Sequence, residues 1–154
     1  MNRAKFLGFI LLVSFLLAAG GKNPYQLITR QQELDEILRE VEIFARHQLG
    51  LIVNKKVCGR LVSDKTLDSL YQGPFRGTET GLYCREKDRH ILYIMKGQTR
   101  DKTGGITAHE YTHAWQEESC PPGQDLVLRE GFAEWVKYKY YDYIGAYQLM
   151  RYMR

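Results

Sequence analysis

The sequence predicts an α+β domain: a small, mostly antiparallel sheet of about three strands, followed by two long helices. Three observations carry that expectation. An amphipathic stretch lies near the start, segments rich in Val, Leu and Ile lie in the middle, and two helical stretches flank a Pro121-Pro122-Gly123 break near the end. The 154 residues and 18.0 kDa make one domain's worth of chain. With 44% hydrophobic and 26% charged residues, the composition is globular, which excludes collagen-like, coiled-coil and wholly disordered chains.

Residues 1–21 read as an address. Arg3 and Lys5 precede an uncharged, mostly apolar run at 6–19, with small residues at Ala18, Ala19, Gly20 and Gly21. This is the pattern of a secretory signal peptide cleaved after Gly20 or Gly21. The 14-residue run reaches about 21 Å as a helix, short of a hydrocarbon layer of ~30 Å. An uncleaved N-terminal anchor is the alternative. Either way, residues 22–154 are expected as a single exported domain, in the periplasm, cell envelope or extracellular space.

Across 27–49, Leu34, Ile37, Leu38, Val41, Phe44 and Ala45 share one face between Glu and Arg side chains, an amphipathic helix that Gly50 stops. Residues 51–62 favour a strand ending near Val62, and Ser63 opens a short helix to about Tyr71. Gly73-Pro74 closes that helix, and a polar loop with Arg76, Gly77 and Thr78 follows. Residues 82–84 and 90–95 flank a charged turn at 85–89 and read as a β-hairpin, with 90–95 expected at the sheet edge beside any cleft. After a polar loop at 96–103, Gly104-Gly105 precede a helix to about Ser119. Asp125 caps a last helix to about Tyr143, and Gly145 permits a bend into a short aromatic tail. No repeat or linker interrupts this order.

Charge and cysteine content narrow the partners. Without Arg3 and Lys5, 20 basic residues face 18 acidic ones, so the net charge of +4 falls to +2, too little for a nucleic-acid footprint. A membrane enters only through an uncleaved N-terminal segment. Cys58, Cys84 and Cys120 permit one intramolecular disulfide at most. Cys58 with Cys84 is favoured because both fall on or beside strands; other pairings, or three reduced thiols, are the alternatives.

His109-Glu110-Tyr111-Thr112-His113 sets two imidazoles four residues apart on one helix face, where both can ligate one Zn²⁺, with Glu110 beside them. A third ligand is needed. Glu130, in Arg129-Glu130-Gly131-Phe132-Ala133-Glu134, opens the next helix after a loop that lets the two helices converge, and it can complete the site. Cys120 is the alternative third ligand. His47 and His90 have no ligand spacing with the motif and read as ordinary surface or core histidines.

His109 to His113 followed by Glu130-Gly131-Phe132-Ala133 resembles the gluzincin metallopeptidases, in which a Glu on the following helix is the third zinc ligand. The aminopeptidase branch has the same Glu-Gly-Phe-Ala wording after a slightly longer spacer. Residues 34–135 as a whole are similar to the peptidase domain of the plant ubiquitin-activated peptidases that limit organ size. The matching words are Leu49-Gly50-Leu51, Leu61-Val62, Thr78-Glu79-Thr80-Gly81-Leu82, and Ala108-His109-Glu110 through His113-Ala114-Trp115. The resemblance implies a small zincin-like fold, with a ligand-bearing helix behind the active-site helix, and zinc-dependent hydrolysis of a peptide or protein substrate. The export signal sets this chain apart, so regulation by ubiquitin and a cytosolic substrate are not carried over.

Chemistry and resemblance together assign the roles. Zn²⁺ lowers the pKa of water to about 7, and Glu110 stands to take the proton and pass it to the leaving amine as general base. Gluzincins commonly have an acidic residue where Glu134 stands, hydrogen-bonded to the first His, which implies that Glu134 fixes the tautomer of His109. A surface pair with Lys137 is its plainer alternative. Such enzymes also have a Tyr or His that donates to the tetrahedral oxyanion. Helical steps from Glu130 bring Tyr138 and Tyr141 near the same side, with ring packing as the alternative role. The expected function is that of an exported zinc peptidase. The rival is a catalytically idle exported zinc-binding interaction module, against which the presence of Glu110 argues, because a structural site needs no general base.

Overall fold

The computed structural model describes residues 22–71 and 80–151. The address at 1–21 and the loop signals at Gly73-Pro74 and from Arg76 to Thr78 lie outside the described residues. The architecture is α+β, with five helices and a three-stranded sheet among those residues.

Helix α1 (Gln31–Leu49) buries the six apolar residues that its spacing puts on one face. Its start is fixed by Glu33, whose carboxylate accepts hydrogen bonds from the backbone N–H groups of Thr29 and Arg30, each at 3.0 Å. The Arg30 guanidinium, and then these two amides, hold the Glu33 carboxyl down at about 2. Gly50, at φ 68°, ends the helix in the left-handed conformation that glycine adopts without strain.

Strand β1 (Lys56–Val62), helix α2 (Asp64–Leu70), strand β2 (Gly81–Glu86) and strand β3 (Arg89–Met95) follow. Ser63 caps α2 by accepting from the Thr66 N–H at 3.1 Å. The sheet order is β1-β3-β2, with β3 parallel to β1 and antiparallel to β2. Two expectations are corrected here. The sheet is mixed rather than mostly antiparallel, and β3 is the central strand, not the edge. The cause is legible in side-chain chemistry: His90 to Tyr93 and Ile94 are buried in an unbroken run, as suits a strand covered on both faces, whereas Lys56 and Arg60 on β1 and Arg85 and Glu86 on β2 suit edges.

The same register rules out the favoured disulfide. Cys58 and Cys84 both sit opposite Ile91, on its two sides. They are therefore two strand spacings apart, about 9–10 Å, beyond the ~7 Å that a disulfide spans between Cα atoms. All three thiols are free.

Helix α3 (Arg100–Ser119) lies on the inner face of the sheet between α1 and α4 (Leu126–Ile144), and the short α5 (Tyr147–Met150) closes the described chain. Gly104 and Gly105 lie within α3, not before it. A Cβ on Gly104 would stand 2.5 Å from Cε1 of Tyr140, and one on Gly105 would stand 2.3 Å from Cζ of Tyr141. Each glycine costs the helix about 1 kcal/mol relative to alanine, and in exchange two tyrosine rings of α4 lie directly on the α3 backbone. Ring contacts of Phe132 with Trp115 (5.6 Å between centroids) add to the same interface. Asp125 caps α4, accepting from the N–H groups of Val127 and Leu128 at 2.8 and 3.2 Å. The aromatic tail contributes Ala146, Leu149 and Met150 to the core, while Tyr147 is exposed. Among the described residues no helix is long and apolar enough to cross a membrane.

Candidate metal centre

The α3–α4 contact brings three side chains to one point. Nε2 of His109 and Nε2 of His113 are 3.2 Å apart; Oε2 of Glu130 is 3.3 Å from the first and Oε1 is 3.5 Å from the second. Donors bound at ~2.0–2.1 Å around a tetrahedral ion stand about 3.3–3.4 Å from each other. These pairwise approaches are close to that separation, and His109, His113 and Glu130 form a triad able to hold a metal, with one donor atom from each within 4.8 Å of the others. Cys120 is not part of it.

Each imidazole has a polar neighbour at its Nδ1. Oε1 of Glu134 lies 3.0 Å from Nδ1 of His109, close enough for charge attraction though not aligned as a hydrogen bond. The Lys137 ammonium donates to the same Glu134 carboxylate at 3.1 and 3.3 Å, so both expected partners of Glu134 are present together. His113 is oriented by Gln116, whose Oε1 is 2.9 Å from Nδ1 and whose amide donates to the Arg129 carbonyl at 2.9 Å. Gln116 is buried. Gln116 is not marked by the metal motif itself, although a Gln one turn beyond a candidate ligand His is a signal that helical spacing offers.

Electrostatics agree with a cation here. Burial works against protonation of His109, but the carboxylates of Glu130 and Glu134, with Glu110 behind them, outweigh it and raise the imidazole to about 9. His113 is lowered by burial and by the charge of His109. Glu130 is lowered and Glu134 is held at about 2, in both cases first by His109.

The triad opens into a cleft of about 520 Å³ that Glu110 also lines, with Thr80 to Tyr83 of the β2 segment forming the opposite wall. Glu110 is buried, and its carboxylate lies against the start of β2, where a Cβ on Gly81 would meet Oε1 at 2.7 Å. The strand beside the cleft is therefore β2, not β3. Tyr138 and Tyr141 do not line the cleft. Tyr141 is buried with its ring on Gly105, which is the packing role offered as its alternative. The tyrosines in the wall are Tyr71 and Tyr83. His90 is a fully buried core residue: its Nδ1 is 2.8 Å from the Tyr83 hydroxyl and its Nε2 is 2.9 Å from Glu118. His47 lies outside the site.

No protein-family model matches this chain, and no solved structure matches it. Among curated proteins, Protein DA1-related 6 of Arabidopsis thaliana is 27% identical over 117 residues, which is 70% of this chain and 17% of that protein. The chain thus matches a small part of a much longer plant protein. The likeness is distant, and the gluzincin assignment goes beyond it.

Proposed function

We propose that this chain is an exported zinc-dependent peptidase of gluzincin type. The observation that carries the reading is the convergence of His109, His113 and Glu130, whose donor atoms approach one another pairwise at 3.2–3.5 Å, with the buried carboxylate of Glu110 in the same cleft. When bound, Zn²⁺ supplies Lewis acidity toward water and a carbonyl oxygen. His109, His113 and Glu130 would hold the ion, with Gln116 hydrogen-bonded to Nδ1 of His113 and the Glu134 carboxylate beside Nδ1 of His109. Glu110 accepts the proton of the attacking water and returns it to the leaving amide nitrogen. As an edge strand, β2 offers an extended polypeptide a pairing partner along the cleft. Export rests on residues 1–21, and the peptidase reading accords with the distant likeness to Protein DA1-related 6.

The test is a pair of measurements. Purified protein should hold about one zinc, lost in Glu130→Ala. Glu110→Gln, nearly isosteric, should keep zinc and fold while hydrolysis of a proteome-derived peptide library falls by roughly 10²–10⁴-fold or more. If zinc is present but neither form cleaves anything, the idle binding module is the better reading. Equal cleavage by both forms would remove Glu110 from the mechanism. Intact mass of exported protein beginning at Gly21 or Lys22 checks the address.

A further inference from the structure

Among the described residues, one cation at the cleft has no acid of its own. Arg129 immediately precedes Glu130 on α4 and is half-buried. It lines the metal cleft and also a second, polar cavity of about 370 Å³, walled by Arg85, Glu117, Cys120 and Pro121-Pro122. The other cations in these walls are compensated: Arg85 pairs with Glu117 at 2.6 Å, and Lys137 pairs with Glu134 at 3.1 Å. Among the described residues no carboxylate pairs with the Arg129 guanidinium. Its own helix does not supply one. Phe132 and Ala133 stand three and four residues ahead of it, and Asp125, four behind, is occupied in capping Val127 and Leu128. Glu130 is turned into the triad.

The Arg129 backbone is also fixed relative to the centre, because its carbonyl accepts from the Gln116 amide that orients His113. Arg129 lines the same cleft as His113, Glu130 and Tyr83, which puts its charge beside the site. A guanidinium presents a planar fork that matches a carboxylate with two parallel hydrogen bonds, and partial burial strengthens such a pair.

We propose that Arg129 is a specificity-determining residue, selecting polypeptides that carry a carboxylate near the bond to be cut. This rests on the peptidase reading above. The carboxylate is either an acidic side chain or the substrate's own C-terminus, and either fits a fork at the junction of two cavities. Arg85, held by Glu117, does not compete for it.

Four pools of randomised octapeptides separate these sources: one with Glu stepped through each position, its Gln twin, and each of these with a free or an amidated C-terminus. Retention on zinc-loaded Glu110→Gln protein is quantified by mass spectrometry, and cleavage by the wild type is measured in parallel. Carboxylate-bearing peptides should be retained about tenfold better than their neutral twins, at one position or at the C-terminus only. Adding Arg129→Gln should erase that ratio without changing retention of neutral peptides, and Arg129→Lys, which keeps the charge but not the fork, should keep part of it. Equal retention of all pools, or an Arg129→Gln loss shared by acidic and neutral peptides, overturns the proposal. Cleavage without acidic preference would leave the peptidase reading standing and sink this one. Arg129-dependent retention with no cleavage would do the reverse.

Discussion

A methyl group added at Gly105 tests whether close helix packing sets the metal geometry. In Gly105→Ala the new Cβ would stand 2.3 Å from Cζ and Oη of Tyr141 and 2.4 Å from Cε1. Ordinary carbon contacts are ~3.5–4.0 Å, so more than 1 Å of clearance must be found. Tyr141 is 3% exposed and belongs to the core, so the expected relief is a retreat of α4 from α3. Overpacking of this kind costs ~1–3 kcal/mol, and replacing glycine by alanine within a helix returns about 1 kcal/mol. The net loss is therefore only ~0–2 kcal/mol. The effect on the centre is larger in proportion. Glu130 rides on α4 with its carboxylate oxygens 3.3 and 3.5 Å from the two His nitrogens, close to the ~3.4 Å edge of a zinc tetrahedron, and a retreat of about 1 Å takes it well beyond that edge. Zinc affinity should fall by about 10–100-fold, the range seen when a metal site loses its supporting contacts. Unfolding of the metal-free protein should shift by only a few degrees. Competition with a chromophoric chelator measures the first, and thermal unfolding in chelator the second. Gly105→Ala/Tyr141→Leu, which clears the ring, should regain affinity. Unchanged zinc affinity in Gly105→Ala would refute the argument, as would an equal loss in the double variant.

Gln116→Ala removes the acceptor from Nδ1 of His113 and the donor to the Arg129 carbonyl, and zinc affinity by chelator competition should drop by ~10–100-fold with little change in far-ultraviolet circular dichroism. Burial raises the Glu118 carboxyl, but the N–H groups of Asn54 and Lys55 and the His90 ring outweigh it and bring it from 4.5 to about 2. Glu33 lies at about 2 as well. Folded values below the unfolded ones give stability that is complete above pH ~4.5 and is lost as pH falls toward ~2. The unfolding midpoint should follow that course, with a shallower fall in Glu118→Gln. Under mild oxidation, non-reducing peptide mapping should find no Cys58–Cys84 link, because β3 lies between them.

Much of the fold was legible along the chain, because helix periodicity, caps and breakers are local. The α1 face, the Ser63 and Asp125 caps and the Gly50 and Gly145 stops fell where spacing and backbone preference put them. So did the pair His109 and His113, since one helical turn alone aligns them. Glu130 was legible as a ligand candidate because the break at Pro121-Pro122-Gly123 forces a new helix to return. What tertiary structure alone decided was which surfaces meet. The central place of β3 depends on competition among three strands for a position covered on both faces. Gly104 and Gly105 looked like a helix boundary, since nothing local distinguishes a stop from a seat for the rings of Tyr140 and Tyr141. Those rings in turn took Tyr141 out of the cleft and left Tyr83 in its wall. Gln116 gained its place only when α4 brought the Arg129 carbonyl within 2.9 Å. Sequence determines the torsional and capping preferences of each segment; the partner that a buried polar group finds depends on segments far away in the chain, and only packing brings those together.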